Sequence, residues 1–449
     1  MPILELGISE NGNDCWGWTD PASGREIAIM GGNDRTVFIE ISDPFNPLVL
    51  GYLPTATTSS LWRDIKVYND HAFVVSEADD HGMQVFDLNR LMEDFIPPLE
   101  FDVDADFGFF GYSHNIAINE ESGYAYPVGT ILYGGGPVFI NIQDPQEPTL
   151  EGGFAANGYT HDAQVIIYNG PDLDYQCHEI FFGFNENTLT IVDISDKSDP
   201  ELISTIGYEQ TGYTHQGWLS EDRTKVYLTD ETDEQQFGFN SRTLIMDVTD
   251  LDAPFLAEEY YGSNTAADHD LYVLEDKIFL SSYKSGLRVL EITENPEGSL
   301  AEVGYFDTYP PDDDPSFGAG SWSNYPYFES GVIVVSGIEG MHLVRSETVV
   351  PTEVDTDLVD CITGIDDEEN FKYSLHPNPV RTVLTISFEK EELVESILIM
   401  DQTGRSVLEQ KGLNQYGQSH QVDLRNIAYG IYTLSINNLP QVQTLVVLR

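Results

Sequence analysis

The phrase Thr188-Leu189-Thr190-Ile191-Val192-Asp193-Ile194-Ser195-Asp196 returns along the chain and constrains the fold more than any other feature. It runs on to Pro200-Glu201-Leu202-Ile203 and then to Tyr213-Thr214-His215. A second copy at residues 243–250 is followed by Pro254-Phe255-Leu256 and Asp268-His269-Asp270. A third at 137–145 leads to Thr149-Leu150 and Thr160-His161-Asp162. A unit that recurs at roughly fifty residues cannot bury its apolar faces alone, so it must stack on its neighbours.

Each unit reads as four strands, a to d, because short β-branched and aromatic runs alternate with Asp-Pro and Gly/Asn breakers. Strand b falls at 27–30, 72–75, 124–128, 180–184, 226–228, 278–280 and 332–335. Strand c falls at 37–41, 84–88, 138–142, 189–194, 244–248, 287–292 and 341–344. Strand d follows six of them, at 48–52, 99–103, 149–154, 201–206, 255–260 and 300–306. The seventh unit lacks one, while Pro2-Ile3-Leu4-Glu5-Leu6-Gly7 resembles Pro47-Leu48-Val49-Leu50-Gly51. The pattern predicts an all-β chain: a seven-bladed β-propeller over 1–346, closed by residues 3–7 pairing beside 341–344. Residues 347–370 read as an acidic linker, and 371–449 as a small Ig-like β-sandwich.

Against 20 Lys+Arg stand 76 Asp+Glu, a formal charge of -56. Such a field excludes nucleic acid as a partner, attracts cations, and suits a halophilic or marine setting where salt screens it. No run approaches the roughly 18 apolar residues of a membrane span. The start carries no basic region and no long apolar core, so a signal peptide is absent from this chain, in keeping with one already removed. Three cysteines, Cys15, Cys177 and Cys361, allow at most one pair, and Cys177 reads as a free buried thiol. The runs Asp102-Val103-Asp104-Ala105-Asp106 and Asp312-Asp313-Asp314 read as solvated surface or calcium sites.

Strand a of a propeller lines the central channel, so its first residues meet at one mouth. Those residues are Trp16 and Trp18, Trp62-Arg63-Asp64, His114-Asn115, His161-Asp162, His215-Gln216, His269-Asp270 and Trp322. Three readings stand open. The histidines pin each crossing to its neighbour; or His114, His161, His215 and His269, with Asp162 and Asp270, ligate a divalent cation, calcium or a transition metal; or the tryptophans and Arg63 receive an organic or peptide ligand. No catalytic residue is assigned, since no enzyme motif is present.

The repeat phrase resembles the LVIVD repeat. The ordered blocks Asp14-Cys15-Trp16-Gly17-Trp18, Ser113-His114-Asn115, Thr160-His161-Asp162 and Thr214-His215-Gln216 resemble the bacterial surface proteins called choice-of-anchor B. That resemblance implies export and surface attachment, and no known reaction. Tyr373-Ser374-Leu375-His376-Pro377-Asn378-Pro379, Asp401-Gln402-Thr403-Gly404-Arg405 and Leu424-Arg425-Asn426-Ile427-Ala428-Tyr429-Gly430 are similar to the C-terminal sorting domain of type IX secretion. This implies the type IX machinery as a partner through 371–449, and a place in the medium or on the outer surface of a Bacteroidota-like cell. The expected function is a binding or interaction module for an extracellular ligand the sequence does not name. A metal-assisted hydrolase and a structural envelope component are the alternatives.

Overall fold

The computed structural model describes residues 1–155, 157–294 and 297–354, then 356, 358, 359 and 361, and in the C-terminal segment 373–376, 380–401, 405–428, 430–436 and 442–447. The chain divides into two compact units, Met1–Cys361 and Ile362–Arg449. Residues 362–370 of the expected linker, and Pro377, Asn378, Pro379, Gln402, Thr403, Gly404 and Tyr429 of the sorting-type motifs, lie outside the described residues.

Seven antiparallel sheets follow one another in the described part of the first unit. Their innermost strands are Gly12–Thr19, Arg63–Tyr68, Asn115–Asn119, Asp162–Ile167, Thr214–Leu219, Leu271–Leu274 and Ser321–Tyr325. Period-two alternation gives every sheet two apolar faces, and each face meets a different neighbour. In the fourth sheet Phe182 and Phe184 pack with Leu219 and Leu228 of the fifth, while Phe181 and Val192 pack with Tyr126 and Phe139 of the third. The succession returns to its start: Val334 and Met341 of the seventh sheet share a core with Met30 and Val37 of the first.

The repeated phrase has a physical explanation. Asp193 closes its strand by accepting the Ser195 N–H, and Asp196 accepts that of Ser198, two Asx turns that reverse the chain. Asp247 with Thr249 and Asp250 with Asp252 repeat the device in the fifth sheet. Opposite the phrase, the outer strand carries a bulge at the same place each time, between the partners of Ile191 and Val192, of Ile245 and Met246, and of Phe38 and Ile39.

Three sequence expectations are corrected. Residues 3–7 form a turn rather than a strand, with the Glu5 and Leu6 N–H groups both donating to Pro2 and Gly7 at φ +71°. The seventh sheet therefore keeps three strands, and the N-terminus meets it through a Pro2–Gly340 bridge, the Met1 ammonium on the Met341 carbonyl, the Ile3 N–H on Glu339 and the packing of Leu6 and Ile8 beside Val334 and Met341. In the second sheet the outer strand is Ala105–Phe107, while Leu99–Glu100 pairs parallel with the outer strand of the first sheet. Cys177 is not free: it forms a disulfide with Cys361, and Cys15 is the buried free thiol.

That disulfide belongs to a segment read as linker. Val349 packs beside Phe279 and Val289, Thr352 and Val354 donate backbone N–H groups to Asp276 and Glu275, and Val359 donates to the Asn169 carbonyl. These residues tie the end of the first unit onto the first turns of the sixth and fourth sheets.

The second unit is one hydrogen-bonded assembly of Tyr373–His376, Val383–Asp401, Ser406–Asp423, Gly430–Ile436 and Val442–Val447. Leu384, Ile386, Ile397, Ile399, Leu434 and Leu445 form its core. Among the described residues no helix is long and apolar enough to cross a membrane.

Candidate functional site: a histidine arc at one end of the seven sheets

In an up-and-down sheet the start of the innermost strand and the turn from the second to the third strand share one end. At that end Trp62, Arg63, His114, Asn115, His161, His215, His269, Asp270 and Trp322 surround a small void. Four imidazoles form an arc, with successive ring centroids 4.1, 4.2 and 4.2 Å apart from His114 to His269. Trp322 continues it at 4.9 Å, and Trp62 stands 6.4 Å from His114 at the other side. The void measures about 10 Å³, room for one water or an ion and for no organic group between the rings.

Three of the four rings are held by their Nδ1 atoms. His161 Nδ1–H donates to the His215 carbonyl at 3.1 Å, His269 Nδ1–H to the Trp322 carbonyl at 2.6 Å, and His114 Nδ1–H to Glu77 at 2.6 Å. Glu231, which leaves the second strand of the fifth sheet, turns its carboxylate to the other side of two rings. It lies 3.9 Å from His215 Nε2 and 4.0 Å from His269 Nε2, and accepts the Tyr283 hydroxyl at 2.8 Å. Burial, then the neighbouring imidazoles, holds His161 and His215 well below the usual histidine range. Burial also acts against His269⁺, but Asp270 and Glu231 outweigh it and raise that ring. Burial raises Glu231, against the pull of His269.

Arg63 is a buried guanidinium. Its Nε donates to the Gly32 carbonyl at 3.0 Å and Nη1 lies 3.2 Å from His81 Nε2, while Nη2 has no partner. Burial lowers its pKa to about 10, with Asp34 opposing.

Five of the expected residues do not line the void. Trp18 belongs to the core between the first two sheets and donates its indole N–H to Asp70. Trp16 sits further along its strand, with the Lys66 ammonium 4.7 Å from its ring and Tyr272 and Tyr325 against its edges. Asp64 takes Lys66 and the Ile116 N–H at 2.7 and 2.8 Å. Asp162 is half-buried, and Gln216 joins the fifth sheet to the sixth by accepting from and donating to Leu271. Asp14, Asp64 and Asp162 each accept the next residue's N–H at 2.6 Å, so Asn13-Asp14 is the first sheet's counterpart of His161-Asp162. Glu231 and Tyr283, on turns between second and third strands, have no marker in the repeat.

Residues 374–447 match the model of the secretion system C-terminal sorting domain, and residues 180–206 match the LVIVD repeat. The chain contains both an LVIVD-repeat region and a type IX sorting domain. The sorting domain marks it as an exported protein and makes the type IX machinery its partner. No curated protein matches it. Among solved structures it is similar to a protein from Lactobacillus plantarum, at 12% identity and TM-score 0.49 over 92% of this chain and 100% of that one. A β-propeller domain from Myceliophteria thermophila is similar at 11% identity and TM-score 0.48, over 75% of this chain and all 100% of the other. A functionally unknown protein from Desulfotomaculum acetoxidans follows at 13% and 0.46, over 70% and 90%. Likenesses at this level carry no argument about the site.

Two groups among the described residues have the donor set for a cation: His215, Glu231 and His269, and Asp172, Asp250 and Asp252. The second is occupied by the protein's own donors, with Asp172 accepting the Asp174 and Leu251 N–H groups and Asp252 the Tyr175 hydroxyl. The other acidic runs are likewise engaged, Asp104 by Arg90 and Asp312 and Asp314 by Lys284. Neither Cys15, buried and pushed far up, nor the disulfide-bonded Cys177 offers a thiolate nucleophile.

Proposed function

We propose that residues 1–346 form a closed seven-bladed β-propeller of the choice-of-anchor B kind, acting outside the cell as a binding module. Residues 371–449 are the β-sandwich that delivers it to the type IX machinery. The observation that carries the reading is the sorting domain at 374–447 behind a unit whose seventh sheet packs on its first. The ligand-facing end is the one with the histidine arc, where the long turn holding Glu231 makes the ring asymmetric. The void there accepts a divalent cation, calcium or a transition metal, and Trp62, 40% exposed, faces a partner from outside. A metal-assisted hydrolase is the second reading, favoured by a carboxylate beside two histidines.

Expression of the full chain and of a chain ending at Cys361, in a bacterium with type IX secretion, tests the export half. The full chain should be reached by added protease or antibody on intact cells or be found in the medium, and the shorter one retained inside the outer membrane with unchanged folding. Equal export of both would overturn it. Hydrolysis of ester or peptide substrates that chelator abolishes would favour the second reading over a binding module.

A further inference from the structure

We infer that His215, His269 and Glu231 bind one divalent transition-metal ion of the zinc class, through the two Nε2 atoms and the carboxylate, with a fourth position open to the void. This rests on the mouth being the ligand-facing end and narrows its cation. Donor chemistry decides the class. Calcium takes six to eight oxygen ligands, and of these three donors only Glu231 offers oxygen. Two imidazoles and one carboxylate suit zinc, cobalt, nickel or copper.

Pinning and ligation use opposite sides of the same ring, so they do not compete. His269 donates Nδ1–H to the Trp322 carbonyl, which fixes the tautomer with its Nε2 lone pair turned to Glu231. The Tyr283 hydroxyl orients the carboxylate. These are the outer contacts that metal-binding side chains need. His215 Nδ1 is buried without a partner, and Asp270 Oδ1 is 3.8 Å away. A metal on Nε2 would place the proton on Nδ1, on the side of the ring that faces that carboxylate. The three ligand atoms lie within 4.8 Å of one another. Around a tetrahedral zinc with bonds near 2.1 Å they would be about 3.4 Å apart, so each must draw in by under about 1 Å. Glu231 can do so, because it stands on a turn and not within a strand.

The test is metal titration of the chelator-stripped full chain in molar sodium chloride, which screens the surface carboxylates. Zinc should bind at one equivalent, and cobalt(II) should show the intense visible absorption of a tetrahedral site. Glu231→Gln should weaken binding by at least about tenfold while its metal-free melting stays at the parent's, and His269→Gln, which also gives up the bond to the Trp322 carbonyl, should weaken it at least as much. Asp252→Asn, in the second acidic group, should leave binding unchanged. Binding indifferent to Glu231→Gln, or lost in Asp252→Asn, overturns the assignment. Stoichiometric calcium binding with no zinc site overturns the metal class and leaves the divalent-cation reading standing; no binding by any of these ions removes both.

Discussion

Glu234→Gln should make the protein more stable at neutral pH. Glu234 lies in the short helix Asp233–Phe237 and is 2% exposed. With both side chains ionised, its two carboxylate oxygens and Asp233 Oδ1 are buried with no donor. Burial first, then Asp268 and Asp233, pushes its pKa from the ordinary 4.5 up to about 11. The folded protein therefore keeps a proton there, which Glu234 can donate to Asp233 and which the unfolded chain releases above its ordinary pKa. A folded pKa raised in this way stabilises fully only below the unfolded value, and the contribution is lost as pH rises towards the folded one. Between the ordinary value and neutral pH the loss comes to about 3 kcal/mol at 1.36 kcal/mol per unit. Glutamine has the same shape, keeps an N–H donor for Asp233 and has no proton to lose. All five tryptophans, Trp16, Trp18, Trp62, Trp218 and Trp322, lie in the first unit, so their fluorescence during urea unfolding reports on this fold. The midpoint of Glu234→Gln should exceed the parent's near pH 8 and converge with it near pH 5. Equal midpoints at both, or a loss near pH 8, would refute the reasoning.

Cys361→Ser should lower stability, since the bond to Cys177 spans 184 residues and loop entropy sets a ceiling of about 5 kcal/mol on its effect. Thermal unfolding with and without reductant checks this, and an unchanged parent melt in reductant, with the bond shown broken, contradicts it. Deleting residues 1–8 removes Leu6 and Ile8, 0% and 2% exposed in the core between the seventh and first sheets. At about 1.5–3 kcal/mol for each the first unit should melt several degrees lower, and an unaltered melt would show that the turn does not stabilise that core.

Much of the fold was legible because the signal repeats. The Asp193-Ile194-Ser195-Asp196 type of phrase fixes both strand and turn, since its aspartates cap the reversal through local bonds. Even so, local likeness misled at two places where a tertiary contact decides. Residues 3–7 look like an outer strand, but Leu6 and Ile8 enter the core from a turn. Residues 99–103 look like another, but Phe101 packs on Phe38 and Phe86 and draws the chain to the first sheet. The disulfide was illegible for a different reason. Two cysteines 184 residues apart carry no pairing signal until the segment around Val349 and Thr352 is seen running back along the sheets.

The site divides in the same way. The histidines were legible because each occupies the same position of its own repeat, and the sheets bring equal positions together. Glu231 was not, because it stands in the turn between Lys225–Asp230 and Arg242–Asp247, and the turns at this place differ from sheet to sheet and have no register to read. That difference has physical content. A residue at a repeated position is first explained by what every repeat needs, and the Nδ1 bonds of His161 and His269 to the next sheet's carbonyls meet that need. Residues outside the repeat are explained by what one place needs. Glu231, with Tyr283 holding it, converts two of the four equivalent rings into a three-donor set and leaves His114 and His161 outside it. The repeat thus supplies imidazoles all along the arc, and one turn, by placing Glu231 beside His215 and His269, selects which of them join a three-donor set.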